Sequence, residues 1–303
     1  MSPIALLPEI STGGRGILWI LLSAAMFAGM DASAKELALS YPLPQVVWAR
    51  YPASVVLVLA VVLARRRVSE VIVTRRLGLQ VLRGGLVVAT LSFHFTAIHF
   101  IPLADATALL FTAPILVTAL SYPILGEPVR RELWVGVVLG FVGALVIIRP
   151  GLGVMQVAAL LPLAAAFMLA GYQIAGRILS RTDQALTTFA YTIWVGAIGM
   201  SLVVPFYWKV PDVAGWMLMA ALGLFAGFGQ FAVIKAFEAA PAATVTPFIY
   251  SGLLWATLLG YTVFGDLPDL WTILGALLIV SSGFYVLYLE HARLGSTNAD
   301  GHR

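Results

Sequence analysis

The sequence predicts an all-α membrane protein of ten transmembrane helices arranged as two inverted five-helix repeats. Three observations predict it: apolar stretches of helix length fill nearly the whole chain, charge is confined to short links, and part of the first half reappears 139 residues later. The stretches, segments 1 to 10, cover residues 16–38, 43–64, 78–99, 103–125, 133–149, 154–177, 186–207, 213–236, 243–264 and 270–289. A helix rises about 1.5 Å per residue, so roughly 20 apolar residues cross a hydrocarbon core about 30 Å thick.

Composition agrees. The 303 residues are 61% hydrophobic and only 11% charged, against about 25% charged in a typical soluble domain, and mean hydropathy is +0.97. Such a chain cannot solvate its side chains in water, and lipid is its expected partner. The net charge of +4 does not point to nucleic acid, because the basic residues lie in links and at segment ends and form no single stripe. With no cysteine there is no disulfide framework and no thiolate chemistry.

The first apolar run ends in Ala32-Ser33-Ala34, which has the form of a signal cleavage site. The weakly basic flank, and Asp31 inside the run, oppose cleavage; segment 1 is read as a membrane helix. Fourteen Lys and Arg residues fall at one end of the bundle (Arg15, Arg65, Arg66, Arg67, Arg75, Arg76, Arg83, Arg130, Arg131, Arg177, Arg181, Lys235, Arg293, Arg303). Four fall at the other: Lys35, Arg50, Arg149 and Lys209. Cytoplasmic links retain positive charge, so both termini are expected in the cytoplasm and the chain in the cytoplasmic (inner) membrane. Residues 1–15 and 290–303 are then cytoplasmic tails around two repeats, 16–149 and 154–289.

The 139-residue shift lays Pro102, Ala104, Thr107, Thr118, Tyr122, Gly126 and Gly136 on Pro241, Ala243, Thr246, Thr257, Tyr261, Gly265 and Gly275, and Glu127 on Asp266. Segments 4 and 5 thereby match segments 9 and 10. Five helices per repeat is odd, so the second repeat enters the membrane upside down, the plan of many alternating-access transporters.

The run Met30-Asp31-Ala32-Ser33-Ala34-Lys35-Glu36-Leu37, with Tyr41-Pro42 and Arg50-Tyr51, resembles the first two helices of EamA-type members of the drug/metabolite transporter superfamily. So do Pro102-Leu103-Ala104-Asp105-Ala106, Gly126-Glu127, Lys235-Ala236-Phe237 and Pro241-Ala242-Ala243. The resemblance spans essentially the whole chain. It implies a central cavity lined by segments 1 to 4 and 6 to 9, with 5 and 10 peripheral. It also implies a secondary transporter of a small organic metabolite, without cofactor, working by alternating access. Importers of riboflavin-like or S-adenosylmethionine-like solutes are the most similar in these motifs, and exporters of amino acids or related metabolites are the alternative.

Ionisable residues within spans are costly and mark pathways, which singles out Asp31, Arg50, His94 and Asp105. Asp31 and Arg50 each lie seven residues from the outer ends of consecutive antiparallel segments, so an ion pair between them is expected, with Lys35 one turn further out. The pair either staples segments 1 and 2 or forms a gate that contacts substrate. Asp105, three residues after Pro102, suits the first turn of a helix, where the macrodipole favours a carboxylate. His94 either hydrogen-bonds a neighbour or couples protons to transport. Lys235 and Glu238 form a solvated interfacial pair or an opposite gate.

Phe93, Tyr172, Gln173, Tyr191, Gln230 and Tyr250 fall on the cavity segments and are candidate substrate contacts. Trp19, Trp48, Tyr207, Trp208, Trp216 and Trp271 are expected as interfacial anchors. The spacings Gly136…Gly140 and Gly223…Gly227 permit close helix approach within the chain, or a homodimer through segment 5 in place of a monomer. Pro114, Pro123, Pro162 and Pro205 are expected kinks. No HExxH, GxSxG or Walker A pattern occurs, the four histidines form no metal-binding cluster, and no link is long enough for a nucleotide domain. A polytopic membrane enzyme is therefore the weaker rival to a gradient-driven transporter or facilitator.

Overall fold

The computed structural model describes residues 12–65, 72–126, 131–148, 155–240 and 242–300. Glu127, Arg66, Arg67, Arg130, Arg149, Pro241 and Arg303 lie outside them. The described residues form ten helical segments: α1 (Thr12–Ala38); α2 (Leu43–Ala49) with α3 (Tyr51–Arg65); α4 (Leu77–Phe100); α5 (Leu103–Leu110) with α6 (Ala113–Leu125); α7 (Arg131–Ile148); α8 (Met155–Leu179); α9 (Ala185–Val203); α10 (Val213–Ala239); α11 (Ala242–Val245) with α12 (Gly252–Phe264); and α13 (Leu270–Asp300). Eight are long and apolar enough to cross a membrane, and the apolar stretches Trp134–Ile148 and Leu270–Val286 complete the ten. This is a multi-pass, all-α membrane fold.

The breaks follow from proline and glycine. Segment 2 is interrupted at Arg50, two residues before Pro52, whose missing N–H leaves the Trp48 carbonyl without its helical donor. Segment 4 breaks at Phe111 and Thr112 before Pro114, and segment 9 tightens to a 3₁₀ turn over Thr246–Ser251, which contains Pro247. Pro123 and Pro162 lie inside α6 and α8 as expected, and Pro205 sits in a 3₁₀ turn that ends segment 7. Helix α13 runs to Asp300, past the expected boundary at 289, through a stretch with no proline.

Gly126 and Gly265, equivalent under the 139-residue shift, cap α6 and α12 at φ +68° and +72°, a left-handed conformation that glycine adopts without strain. Equivalence extends to packing. A Cβ built on Gly136 would lie 2.6 Å from Val286 Cγ2, and one on Gly275 would lie 2.5 Å from Ile147 Cγ1. Those are the same contact with the halves exchanged, and they close α7 onto α13. The glycine face of α7 is thus spent inside the chain.

The segment contacts obey the same exchange. Segment 1 lies along 8 as 6 lies along 3; 1 touches 9 as 6 touches 4; 3 touches 7 as 8 touches 2; and the pairs 2·7, 4·9 and 5·10 map onto themselves. Together they make a ring in the order 1, 9, 4, 6, 3, 7, 2, 8, with segments 5 and 10 packed outside it. Two-fold pseudo-symmetry between inverted halves produces this pattern.

One set of contacts breaks the symmetry. Segments 1, 2 and 3 pack on one another, and among the described residues the equivalent segments 6, 7 and 8 make no comparable contacts. The core at the charge-poor end contains Met30, Ala34, Leu37, Val46, Val47, Phe95, Ile98 and Leu103, all nearly inaccessible. These contacts close the ring at that end, and the described residues of segments 6, 7 and 8 make no matching set at the arginine-rich end.

Candidate substrate pathway

Helix α1 enters the ring interior with Asp31, and α4 answers with His94. Their side chains meet at 3.1 Å (His94 Nε2 to Asp31 Oδ2), both buried. This corrects the expected Asp31–Arg50 pair. The two residues are level by residue count, but depth does not fix azimuth: Asp31 faces segment 3, while the Arg50 guanidinium lies 5.9 Å from the Tyr51 ring centroid, with Nε buried and unpartnered. Because segments 1 and 3 are not neighbours around the ring, Asp31–His94 is a contact across it.

One turn further out, the Lys35 ammonium donates to Asp266 Oδ2 at 2.6 Å and to the Ile101 carbonyl at 3.4 Å, and it sits 4.8 Å from the Phe264 ring centroid. Lys35 is thereby drawn inward to the 9–10 link and does not extend to the surface. Beside it, Gln45 exchanges two hydrogen bonds with the Lys209 backbone, and the Tyr41 hydroxyl donates to Asp212. The Gly215 N–H and the Tyr41 hydroxyl hold the Asp212 carboxyl below the usual carboxylate range. At the same end Trp48 meets Trp208 edge-on and Trp208 meets Trp216 at a tilt, and Trp208 and Trp216 are exposed, as the expected interfacial anchors would be.

At the arginine-rich end, Asp183 accepts from Thr74, from Gln80 at 2.9 Å and from the Arg75 N–H at 3.2 Å. Partial burial raises the Asp183 carboxyl, but these hydrogen bonds outweigh it and leave it lowered. The Tyr191 hydroxyl donates to the Ile72 carbonyl at 2.7 Å, so Tyr191 anchors the 2–3 link. Lys235 and Glu238 pair at 2.8 Å on the exposed surface of α10, the solvated alternative of the two expected.

A basic residue counted above at the arginine-rich end of the bundle turns into the packed helices. Arg83 lies six residues inside α4, donates to the Thr188 carbonyl at 3.2 Å and to the Thr192 hydroxyl, and lies 3.9 Å from the Tyr172 ring centroid. Placing an arginine within a span costs about 2.5–3.5 kcal/mol on insertion scales. Hydrogen bonds to a charged donor, about 1.5–3 kcal/mol each, and an aromatic face offset that cost. The spacing 83, 87, 90, 94 puts Arg83 on the same face of α4 as His94, a signal legible in the sequence.

The other candidates separate. Tyr172 joins Arg83, and Gln173 is exposed on the face of α8 opposite the bilayer-facing Val157, Leu160 and Phe167. Phe93 is half-buried beside His94, and its neighbour Phe95 takes the fully buried core position. Gln230 is half-buried on α10. Tyr250 is packing: its ring stacks on Phe284 at 5.7 Å and meets Phe111 edge-on at 5.2 Å. Asp105 is buried in the first turn of α5, where the helix N-terminus favours it. A shallow groove lined by Arg15, Leu18, Trp19 and Leu22 lies on the exposed side of α1, away from Asp31.

Comparison with known proteins agrees with this architecture. Residues 14–149 and 156–288 each match the EamA-like transporter family. A riboflavin transporter of Vibrio cholerae is 30% identical, the match covering 91% of this chain and 94% of that protein. An S-adenosylmethionine uptake transporter of Rickettsia prowazekii is 26% identical (93% and 95% covered), and a pseudopaline exporter of Pseudomonas aeruginosa is 28% identical (88% and 93% covered). A solved crystal structure at 19% identity superposes with a TM-score of 0.63 over 92% of this chain and 98% of that one, a likeness of fold. Two matched domains, covering nearly the whole chain, place this protein in the EamA-like transporter family: it is a multi-pass membrane transporter and not an enzyme.

Proposed function

We propose that this protein is a secondary transporter of a small organic metabolite in the cytoplasmic membrane, and that the structure is its inward-facing state. The observation that carries the reading is the one-sided closure of a two-fold ring: segments 1 and 3 are bridged by Asp31–His94, and segments 6 and 8 are apart. In an inverted repeat, exchanging that closure between the halves converts one access state into the other. Positive charge at the parted end supports its assignment to the cytoplasm, with residues 1–15 and 290–303 as cytoplasmic tails.

Import of a riboflavin-like or S-adenosylmethionine-like solute is the favoured reading: the S-adenosylmethionine uptake transporter supports the direction, and the riboflavin transporter supports the solute class. Export is the second reading, supported by the pseudopaline exporter. Asp31, Lys35, Arg50 and His94 form the outer gate, Asp31–His94 being the candidate for proton coupling, and Tyr172 and Gln173 line the inner vestibule. The test is uptake and efflux by proteoliposomes for riboflavin, S-adenosylmethionine and an amino-acid panel, with and without an imposed pH gradient. Saturable movement of one solute is expected; absence of movement for all of them in both directions rejects the reading.

A further inference from the structure

The 139-residue shift extends back into segment 3, laying Gly84 and Ala97 on Gly223 and Ala236, while segments 1 and 2 repeat in 6 and 7 at a shift of 142. That second shift lays Met26, Ala28, Gly29 and Leu37 on Met168, Ala170, Gly171 and Leu179. It also lays Pro42, which precedes α2, on Gln184, which precedes α9. Packing joins the two shifts. A Cβ added at Gly29 would meet Phe225 and one at Gly171 would meet Leu86; one at Gly84 would meet Val195 and one at Gly223 would meet Ala53. Each contact is its mate with the halves exchanged.

Burial departs from this equivalence on two faces. In segment 3, Leu91, His94, Phe95 and Ile98 are buried; their counterparts Gln230, Val233, Ile234 and Phe237 are all more open, and Phe237 is 44% exposed. In segment 1, Asp31 is buried and Lys35 half-buried, whereas their counterparts Gln173 and Arg177 are exposed. The spacing i, i+3, i+4, i+7 makes the segment 8 set a single helix face. Nine residues is two and a half turns, so Phe237 lies opposite the exposed Phe228 and looks away from the bilayer. Neighbouring positions keep their burial in both halves: Leu37 and Leu179 are buried, Ala97 and Ala236 are buried, and His99 and Glu238 are exposed.

A face left open inside the ring while its symmetry mate is covered is the surface that closes when the halves trade roles. We propose that α8 and α10 form the inner gate: in the outward-facing state Gln173 seats against Val233, Phe237 is buried, and Arg177 reaches the Ala240 carbonyl. These are the counterparts of Asp31–His94, of Ile98, and of Lys35 with the Ile101 carbonyl. Ile101 and Ala240 match in detail, each a buried, extended residue that ends its helix. The assignment rests on the inward-facing transporter reading and adds to it the residues of the second gate. The two gates are unlike: a carboxylate and an imidazole meet at the outer one, while burial of aliphatic and aromatic surface holds the inner one.

The chain has no cysteine, so adjacent positions serve as single reporters in vesicles of known sidedness. Phe237→Cys and Glu238→Cys are both expected to react with a membrane-impermeant maleimide from the cytoplasmic side, but only the first lies on the gate face. Grafting the outer pair onto the inner gate, as Gln173→Asp with Val233→His, is designed to close it. The graft is expected to slow labelling of Phe237→Cys about tenfold or more by shifting the population outward, to leave Glu238→Cys within about twofold, and to need both substitutions. Labelling of Phe237→Cys that ignores the graft, or slows no more than that of Glu238→Cys, overturns the proposal. Where the graft fails to fold, Gln173→Cys with Val233→Cys decides the matter: a short bifunctional methanethiosulfonate is expected to cross-link the pair reversibly, and absence of cross-linking overturns the proposal. Uptake of riboflavin and S-adenosylmethionine by the same vesicles separates the two readings. Solute movement with labelling at 237 indifferent to the graft rejects these gate residues and leaves the transporter; slowed labelling with no movement of either solute in the unsubstituted protein does the reverse.

Discussion

Phe111 and Tyr250 occupy the same position in the two halves, 139 residues apart, and their rings meet edge-on with centroids 5.2 Å apart. Residues related by a two-fold axis can touch each other only on or near that axis. The seam between segments 4 and 9 is thus the pseudo-axis, and each half breaks its helix there, at Phe111–Thr112 and over Thr246–Ser251. Off the axis, equivalent contacts come in pairs, as Gly136–Val286 and Gly275–Ile147 do.

Paired contacts are expected to carry paired energies. Gly136→Leu and Gly275→Leu each drive a side chain into the opposing helix, and overpacking of this kind costs about 1–3 kcal/mol. The two variants are expected to lower the melting temperature in detergent by similar amounts. Gly199→Ala, where an added Cβ meets nothing within 4 Å, is expected to leave it unchanged. Unequal losses at the paired glycines would count against the symmetry.

Asp31→Asn is expected to reduce transport more than tenfold while leaving insertion and melting nearly intact. Losing one partner of a buried pair is severe when it strands the other, but asparagine keeps the shape of aspartate and an oxygen that can meet the His94 ring nitrogen. Stability therefore survives where a gate that must re-form on each cycle does not. His94→Gln is expected to behave alike. Normal transport by either variant would reduce Asp31–His94 to a packing contact.

What the sequence discloses is governed by which physical term is local. The ten segments were legible because bilayer thickness fixes a window of about 20 apolar residues, and the repeat because Gly126 and Gly265 must both be free to adopt positive φ. The break at Arg50 is legible in Pro52, which removes a helical donor two residues later. The partner of Asp31 was not: counting from a helix end gives depth, whereas azimuth is set by packing against segment 3. Arg83 fell inside the expected segment 78–99 but close to its arginine-rich end, and sequence position alone does not separate a basic residue that reaches the interface from one turned into the bundle. Its contacts with Thr188 and Thr192 join residues more than 100 positions apart and leave no local trace.

Lys35 and Asp266 bind segment 1 to the 9–10 link beside the closed end. Lys35→Met is expected to weaken closure and slow transport severalfold, with little loss of stability because Asp266 is a third exposed and stays hydrated. The exchange Lys35→Asp with Asp266→Lys is expected to restore part of the rate. Transport measured for both singles and the double reads the coupling directly.

The clamp at Asp183 is expected to respond to pH. Its hydrogen bonds lower the carboxyl in the folded state, so the unfolded chain binds the proton more readily. The stabilisation is complete above the ordinary carboxylate range and is lost as pH falls through the lowered folded value. Asp183→Asn should melt below wild type at pH 7, by about 1 kcal/mol or less per hydrogen bond after screening. The gap should close as pH falls through and below about 4, the ordinary Asp range. A gap independent of pH would show that the carboxylate charge contributes nothing.

The absence of cysteine permits a direct test of which end is open. Gln173 is exposed on the interior face of α8 in the arginine-rich half, whereas Phe95 is wholly buried in the closed half. Single replacements Gln173→Cys and Phe95→Cys therefore differ in access to water, and a thiol reacts as the hydrated thiolate. In vesicles of known sidedness, a membrane-impermeant maleimide is expected to label Gln173→Cys from the cytoplasmic side at least tenfold faster than Phe95→Cys. A transported solute that draws the ring through its cycle is expected to slow labelling at 173, because segments 6 and 8 must then approach. Labelling of 173 from the opposite side would invert the orientation inferred from charge. Equal labelling of both positions would mean that the closed core around Phe95 does not seal.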